Sequence, residues 1–288
     1  MTAKKLDHRQ LSSIIRQALA EDIGDGDITT ENIIPPTATA SAAIIARERG
    51  IVCGLSVVKE VFKQLDRDCV WRARNSDGDR IKPGRTVGVV TGSARAILTG
   101  ERVALNFLQH MSGVATATRR LVDAIRGRFD IYDTRKTHPG LRMLERYAVV
   151  CGGGRNHRLQ LDDMVLVKDN HLLVCKYRKL PIDEILRQMK NRLDYTTSIE
   201  IECCNFKELR MAMKVKPDVI MLDNMPYDKL RRAVRMIREQ LPKTLIEVSG
   251  KMDERKIAQC ARLHIDYVSV GSITHSARDL DFSLEITG

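Results

Sequence analysis

The sequence predicts an α/β barrel preceded by a smaller α+β domain, and three observations lead there. Beyond residue 130, short apolar runs recur with helical stretches between the later ones, the pattern of repeated βα units and parallel strands. Each of those runs ends in a polar or charged group, as expected where parallel strands converge on one barrel mouth. Ahead of residue 112 the pattern changes to short alternating or β-branched runs broken by turns. A length of 288 residues accommodates a barrel of roughly 250 residues, alone or with a companion domain.

Taken in order, Leu11, Ile14, Ile15 and Leu19 recur at helical spacing, so a helix is expected over residues 11–20. It runs into an acidic loop, residues 21–30, which lacks the glutamate that a calcium loop needs at its last position and reads as a capped turn entering the next element. Strand-like runs follow at 42–45 and 87–90, with a helical stretch over 57–65 and a turn at 75–79 between them. Residues 102–109 and 115–125 read as two helices broken at Ser112-Gly113, where the domain boundary is placed, giving a first domain of 1–111. Strands are then expected at 130–135, 164–168, 198–203, 218–223, 245–249 and 266–271, with helices over 206–215, 227–240 and 253–263. Their polar ends favour a barrel over an open doubly wound sheet, whose functional groups would gather at a single switch point.

Hydrophobic residues at 43% and charged residues at 30% are ordinary for a globular domain and exclude a disordered chain. No apolar run approaches the ~20 residues of a membrane span. No apolar segment follows Lys4 and Lys5 as a secretory signal requires, so a cytoplasmic protein is expected. The seven cysteines are odd in number and contain no C-x-x-C pair, so they read as free thiols rather than zinc ligands. A net charge of +11 suits an anionic partner. With aromatics at only 4% and acids interspersed among the basic residues, a small anionic ligand is favoured over nucleic acid.

Four groups of residues carry chemistry. Arg135 and Lys136 pair a planar fork with a compact point charge just past a strand, a combination suited to a dianion, and His138 adds a third potential cation. Gly152-Gly153-Gly154-Arg155-Asn156-His157-Arg158 sets permissive backbone before a cluster of donors, while the missing Gly-Lys-Ser/Thr excludes a P-loop. Ser249-Gly250 and Gly271-Ser272, with Thr274 and His275 beyond, end the last two strands, where barrels often build a phosphate site. The acids Glu200, Glu202 and Asp223 suit Mg²⁺, general-base work or the steadying of a developing cation. Strand alternation puts Glu200 and Glu202 on one face, and Glu247 sits on a strand whose facing the sequence leaves open.

These blocks, together with Glu21-Asp22-x-Gly24-x-Gly26-Asp27-x-Thr29, Glu101-Arg102-x-Ala104-Leu105-Asn106-Phe107-Leu108, Asp133-Thr134-Arg135-Lys136-Thr137, Lys168-Asp169-Asn170-His171, Glu247-Val248-Ser249-Gly250 and Ser269-Val270-Gly271-x-x-Thr274-His275, resemble the quinolinate phosphoribosyltransferase family over nearly the whole chain. The resemblance implies an amino-terminal α/β sandwich domain and an incomplete α/β barrel over 112–275, with a tail, 276–288, returning to the first domain. It implies transfer of phosphoribosyl from phosphoribosyl pyrophosphate to quinolinate with Mg²⁺, releasing pyrophosphate and CO₂ and leaving nicotinate mononucleotide for NAD biosynthesis. A homodimer or higher assembly is implied, each active site borrowing Arg102 from a neighbour.

By the same resemblance Arg102, Arg135, Lys136, His157, Arg158 and Lys168 bind quinolinate carboxylates and pyrophosphate. Glu202 and Asp223 serve ribose hydroxyls and the metal, and Ser249, Gly250, Gly271 and His275 hold the 5'-phosphate. Lys136, Lys168, Glu202 and Asp223 take the catalytic roles. Three positions depart from the family pattern: Lys251 replaces a glycine, His138 a threonine, and Cys151 precedes the glycine run. A phosphoribosyltransferase for another acceptor and a phosphosugar-binding regulatory protein are the rival readings.

Overall fold

The computed structural model describes residues 6–194 and 196–288, so residues 1–5, read above as lacking a leader, lie outside it. Two compact units emerge. The first comprises residues up to Arg120 with Lys136–Gly154 and Ile273–Gly288, and the second Leu121–Arg135 with Arg155–Ser272.

In the first unit, α1 (His8–Ile23) starts at Asp7, whose side chain accepts the Gln10 N–H at 2.8 Å, and buries Leu11, Ile15 and Leu19. The acidic loop ends in a cap: Asp27 accepts the Thr30 N–H at 2.9 Å to start α2 (Ile28–Ile33), and its other oxygen takes the Thr99 hydroxyl. Next come β1 (Thr39–Ala46), β2 (Gly50–Ile51), α3 (Leu55–Leu65), β3 (Val70–Ala73), β4 (Arg80–Ile81) and β5 (Thr86–Ser93).

The two helices expected on either side of Ser112 are one helix, α4 (Ala94–Ile125), 32 residues long. Ser112 and Gly113 serve packing there instead of ending it. The Ser112 hydroxyl accepts the Cys53 N–H at 3.0 Å and donates to the Cys53 carbonyl at 3.2 Å. A Cβ on Gly113 would collide with the Arg278 carbonyl, so only glycine lets that backbone lie against the helix. The intrinsic cost of a helix-interior glycine, about 1 kcal/mol, is small beside such a clash.

The remaining elements run β6 (Asp130–Tyr132), α5 (Arg142–Cys151), β7 (Val165–Val167), α6 (Asp169–Tyr177), α7 (Ile182–Arg192), β8 (Ile199–Cys203), α8 (Phe206–Val215), β9 (Val219–Asp223), α9 (Tyr227–Gln240), β10 (Leu245–Ser249), α10 (Glu254–Cys260), β11 (Tyr267–Ser269), α11 (Ser272–His275) and β12 (Phe282–Ile286). Although α5 lies between two barrel strands in sequence, it belongs to the first unit. Leu144, Ala148 and Val149 on it are fully buried, and Tyr147 donates its hydroxyl to Asp77 at 2.9 Å. Contacts of that kind are invisible to a division of the sequence at residue 112.

The first unit carries an antiparallel sheet in the order β12-β1-β5-β3, in which the chain's last strand pairs with β1 from Ala42↔Ile286 to Ala46↔Phe282. The second unit is built on six parallel strands in the order β6-β11-β10-β9-β8-β7. Strands β7 to β11 follow chain order and the last returns to pair with the first, which is the cyclic order of a barrel and not the reversal of a doubly wound sheet. Among the described residues no ladder joins β6 to β7, so the barrel is incomplete at that seam, where Arg155 makes a single parallel bridge to Tyr132.

Candidate active site

Parallel register decides which side chains share the barrel's interior. Glu202 lies opposite Met221, Met221 opposite Glu247, and Glu247 opposite Tyr267, so these point to one face, and alternation adds Glu200, Asp223, Ser249 and Ser269. The lower layer of that face is buried and polar. Glu200 and Glu247 are fully buried, and His157 brings Nε2 to 3.0 Å from Glu247 and 3.2 Å from Glu200. Ser269 donates its hydroxyl to Glu247, and Tyr132 and Tyr267 stack at 4.4 Å beside the imidazole.

Burial and the neighbouring Glu247 charge push Glu200 up to about 8, so it keeps its proton at neutral pH. Burial also works against an ionised Glu247, but hydrogen bonds from His157 and Ser269 outweigh it and hold the group below the ordinary carboxylate range. Burial opposes charge on His157, yet the two glutamates raise it to about 10. The Arg158 N–H lies 2.8 Å from Nδ1, while Nε2 directs its proton at the two glutamates. His157 is thus turned into the barrel, and its ring orients the start of Arg158. Asp133, itself fully buried, accepts the His157 N–H at 2.7 Å and completes the clamp.

Above this layer lie the strand ends. Arg135, past β6, and Arg158 are electrostatic neighbours: burial first, then the Arg135 charge, lower the Arg158 pKa, the mark of two cations held together. Arg158 is anchored by donating to the Met164 carbonyl at 3.1 Å. Lys168 is exposed at the end of β7, its N–H donated to His171 Nδ1 at the start of α6. Glu202 and Asp223 are half-exposed, and with Cys204 they bring one ligand atom each within 4.8 Å of the others. Two hard carboxylates beside solvent fit Mg²⁺, which keeps several waters. Burial and the two acids push the Cys204 thiol up to about 11, so it stays protonated and offers Mg²⁺ nothing.

Ser249 lies in register with Asp223, and the turn after it depends on glycine. Gly250 has φ 127°, and a Cβ there would stand 2.5 Å from Asn224 Oδ1. The Lys251 N–H donates to that same oxygen at 3.2 Å and its side chain is exposed. Gly271 follows β11, half-exposed. Arg102, Lys136 and His275 belong to the first unit and the other candidates to the second. Arg102 is exposed on α4, Lys136 is exposed with its carbonyl accepting the Thr274 hydroxyl at 2.8 Å, and His275 is exposed with Nδ1 2.6 Å from the Ser276 hydroxyl.

Comparison with known proteins supplies the family. The family model of the quinolinate phosphoribosyl transferase N-terminal domain matches residues 27–112, and that of the C-terminal domain matches residues 114–285. The chain belongs to the quinolinate phosphoribosyltransferase family. The probable nicotinate-nucleotide pyrophosphorylase [carboxylating] of Methanocaldococcus jannaschii is 39% identical over 280 residues, 95% of this chain and 96% of the relative. Its Bacillus subtilis counterpart is 37% identical, covering 98% and 95%. The crystal structure of NadC from Streptococcus pyogenes superposes with a TM-score of 0.90 at 37% identity, covering 99% of this chain and 100% of that one. In this quinolinate phosphoribosyltransferase family member, the sequence offered Glu200 only as one of three acids at the strand ends and left the facing of Glu247 open, and it pointed to no role for Ser269 or Asp133. The available signal was a lone acid inside otherwise apolar strands, as in Leu245-Ile246-Glu247-Val248. Among the described residues no helix is long and apolar enough to cross a membrane.

Proposed function

We propose that this chain transfers the phosphoribosyl group of phosphoribosyl pyrophosphate to the ring nitrogen of quinolinate, with loss of pyrophosphate and CO₂, yielding nicotinate mononucleotide for de novo NAD biosynthesis in the cytoplasm. The observation that carries this reading is the segregation of charge at the strand ends, with Arg135 beside Arg158 and the carboxylates of Glu202 and Asp223 grouped together. Family membership supports it. That all seven cysteines are free accords with a reducing compartment.

As the bond from the ribosyl carbon to pyrophosphate breaks, positive charge grows on the ribose and negative charge on the leaving group. Arg135, Lys136, Arg158 and Lys168 meet the negative charge, while Glu202 and Asp223 hold the ribose hydroxyls and steady the positive centre. Ser249, Gly250, Gly271 and His275 receive the 5'-phosphate, Gly250 allowing close backbone approach. Arg102, exposed on α4, reaches a neighbouring subunit's quinolinate in a homodimer or higher assembly. Mg²⁺, held by Glu202 and Asp223, supplies counter-charge to the phosphates when bound. Once the ring nitrogen is quaternised it accepts the electron pair left as CO₂ departs, and C2 takes a proton. The cations therefore need only position the carboxylates without binding them so tightly that departure is impeded.

The test compares catalytic efficiency with quinolinate, followed by CO₂ release, and with nicotinate, followed by nucleotide formation. A pocket built for two carboxylates leaves desolvated cations unpaired with nicotinate, at a cost of roughly 3 kcal/mol or more, so quinolinate is expected to be favoured by at least about 10². Comparable efficiencies would favour a transferase for another acceptor. Binding of phosphoribosyl pyrophosphate without turnover of either acid would favour a regulatory protein.

A further inference from the structure

The first unit holds a group of ligating side chains that has no part in the chemistry above. His110 on α4, His138 in the loop after Lys136, and Glu145 on α5 converge on one point. His110 Nε2 lies 2.9 Å and His138 Nδ1 2.5 Å from the same oxygen, Glu145 Oε1, and all three ligand atoms fall within 4.8 Å of one another. The two rings meet edge to face at 5.3 Å. We propose that His110 Nε2, His138 Nδ1 and Glu145 Oε1 bind one divalent cation of the zinc class.

Several features favour a cation site over a plain ion pair. Glu145 is fully buried, a position in which a carboxylate needs strong compensation. Its second oxygen accepts the His138 N–H at 3.1 Å, which fixes the carboxylate's direction and leaves Oε1 to face both rings. His110 turns Nδ1 toward Asp279 Oδ1, 3.4 Å away, the arrangement in which a ligating histidine gives its other N–H to a carboxylate. The His138 side chain is 47% exposed, which provides an entry path and leaves a fourth position to water. Two imidazole nitrogens and one carboxylate select a borderline metal over Mg²⁺ or Ca²⁺, which prefer oxygen.

Tetrahedral ligands at 2.0–2.1 Å from zinc stand roughly 3.3 Å apart, so the present contacts must open by less than about 1 Å. His138, on an exposed loop, can supply that movement. On binding, each imidazole presents a bare nitrogen to the metal: the His110 proton moves to the nitrogen facing Asp279, and the His138 proton to the one facing solvent. The cation would tie the loop that begins at Lys136 onto α4 and α5, stiffening the chain next to Arg135.

The test uses the full-length protein, treated with chelator, dialysed and titrated with ZnCl₂ alone by calorimetry. One equivalent is expected to bind to the wild type. His138→Thr and His110→Gln should weaken binding at least about 100-fold, and Asp279→Asn, which loses only the outer partner, about 10- to 100-fold. Cys204→Ser should leave affinity unchanged. Co²⁺ bound in place of zinc should show tetrahedral visible absorption without a thiolate charge-transfer band. Absence of stoichiometric binding, equal affinity in His138→Thr, or a thiolate band abolished by Cys204→Ser would each overturn the site. Should His110→Gln fail to fold, His138→Thr decides alone, because its side chain is half-exposed.

Discussion

Glu247→Gln removes one charge from the barrel interior and keeps the shape. In the wild type Glu247 Oε2 lies 3.0 Å from His157 Nε2, and Ser269 donates to Oε1. Deleting one partner of a buried pair usually costs about 3 to 5 kcal/mol. Here Glu200 stands 3.2 Å from the same nitrogen and can ionise in place of Glu247, and the single carbonyl oxygen of glutamine still accepts from His157 while its amide nitrogen can donate to the Ser269 hydroxyl. The expected loss therefore falls to that of one charge-assisted hydrogen bond, about 1.5 to 3 kcal/mol, measured by urea unfolding at pH 7. The pH dependence changes with it. Against burial, the two glutamates raise His157 to about 10, above its unfolded value, so its contribution is complete below about pH 6.5 and is lost as pH rises toward 10. Glu200, raised to about 8 by burial and by Glu247, likewise contributes at low pH and loses its contribution between about pH 4.5 and 8. Both shifts shrink in Glu247→Gln, so stability should decline less from pH 6.5 to 10 than in the wild type. Because the His157 ring also seats Arg158, catalytic efficiency with quinolinate should fall about 10- to 100-fold. Stability within about 0.5 kcal/mol of the wild type, with an unchanged pH profile, would refute the coupling of these three groups.

Arg135→Ala and Lys136→Ala should each lower turnover with quinolinate by about 10² to 10³ while leaving thermal unfolding nearly unchanged, since each removes a contact to developing negative charge. Near-normal kinetics in either variant would remove that residue from the site. Mixing inactive Arg102→Ala and Lys136→Ala proteins after proven subunit exchange should restore part of the activity, because some mixed dimers contain one intact site. No recovery would mean that Arg102 serves its own subunit or none.

Much of the barrel is legible in the sequence because its signals are local. The α8 and α9 boundaries coincide with the helical stretches read at 206–215 and 227–240, and β6 to β11 fall within the six expected strands. Parallel strands buried on both faces are continuous apolar runs, and their ends must be polar wherever the mouth binds charge. Asp27 as a cap is equally local, since it needs only the N–H three residues on. Other features depend on partners far along the chain. Ser112-Gly113 looks like a helix break until the Cys53 backbone and the Arg278 carbonyl are placed against it. The segment holding α5 reads as part of the barrel, yet joins the first unit through Asp77 and His110. The sequence by itself determined the cations and acids and the strand ends that bear them. Only the tertiary structure decided that His157 turns inward onto Glu200 and Glu247, and that His138 meets Glu145 and His110. Burial and charge pairing are set by residues 43 and 90 positions away from His157, and no local pattern encodes them.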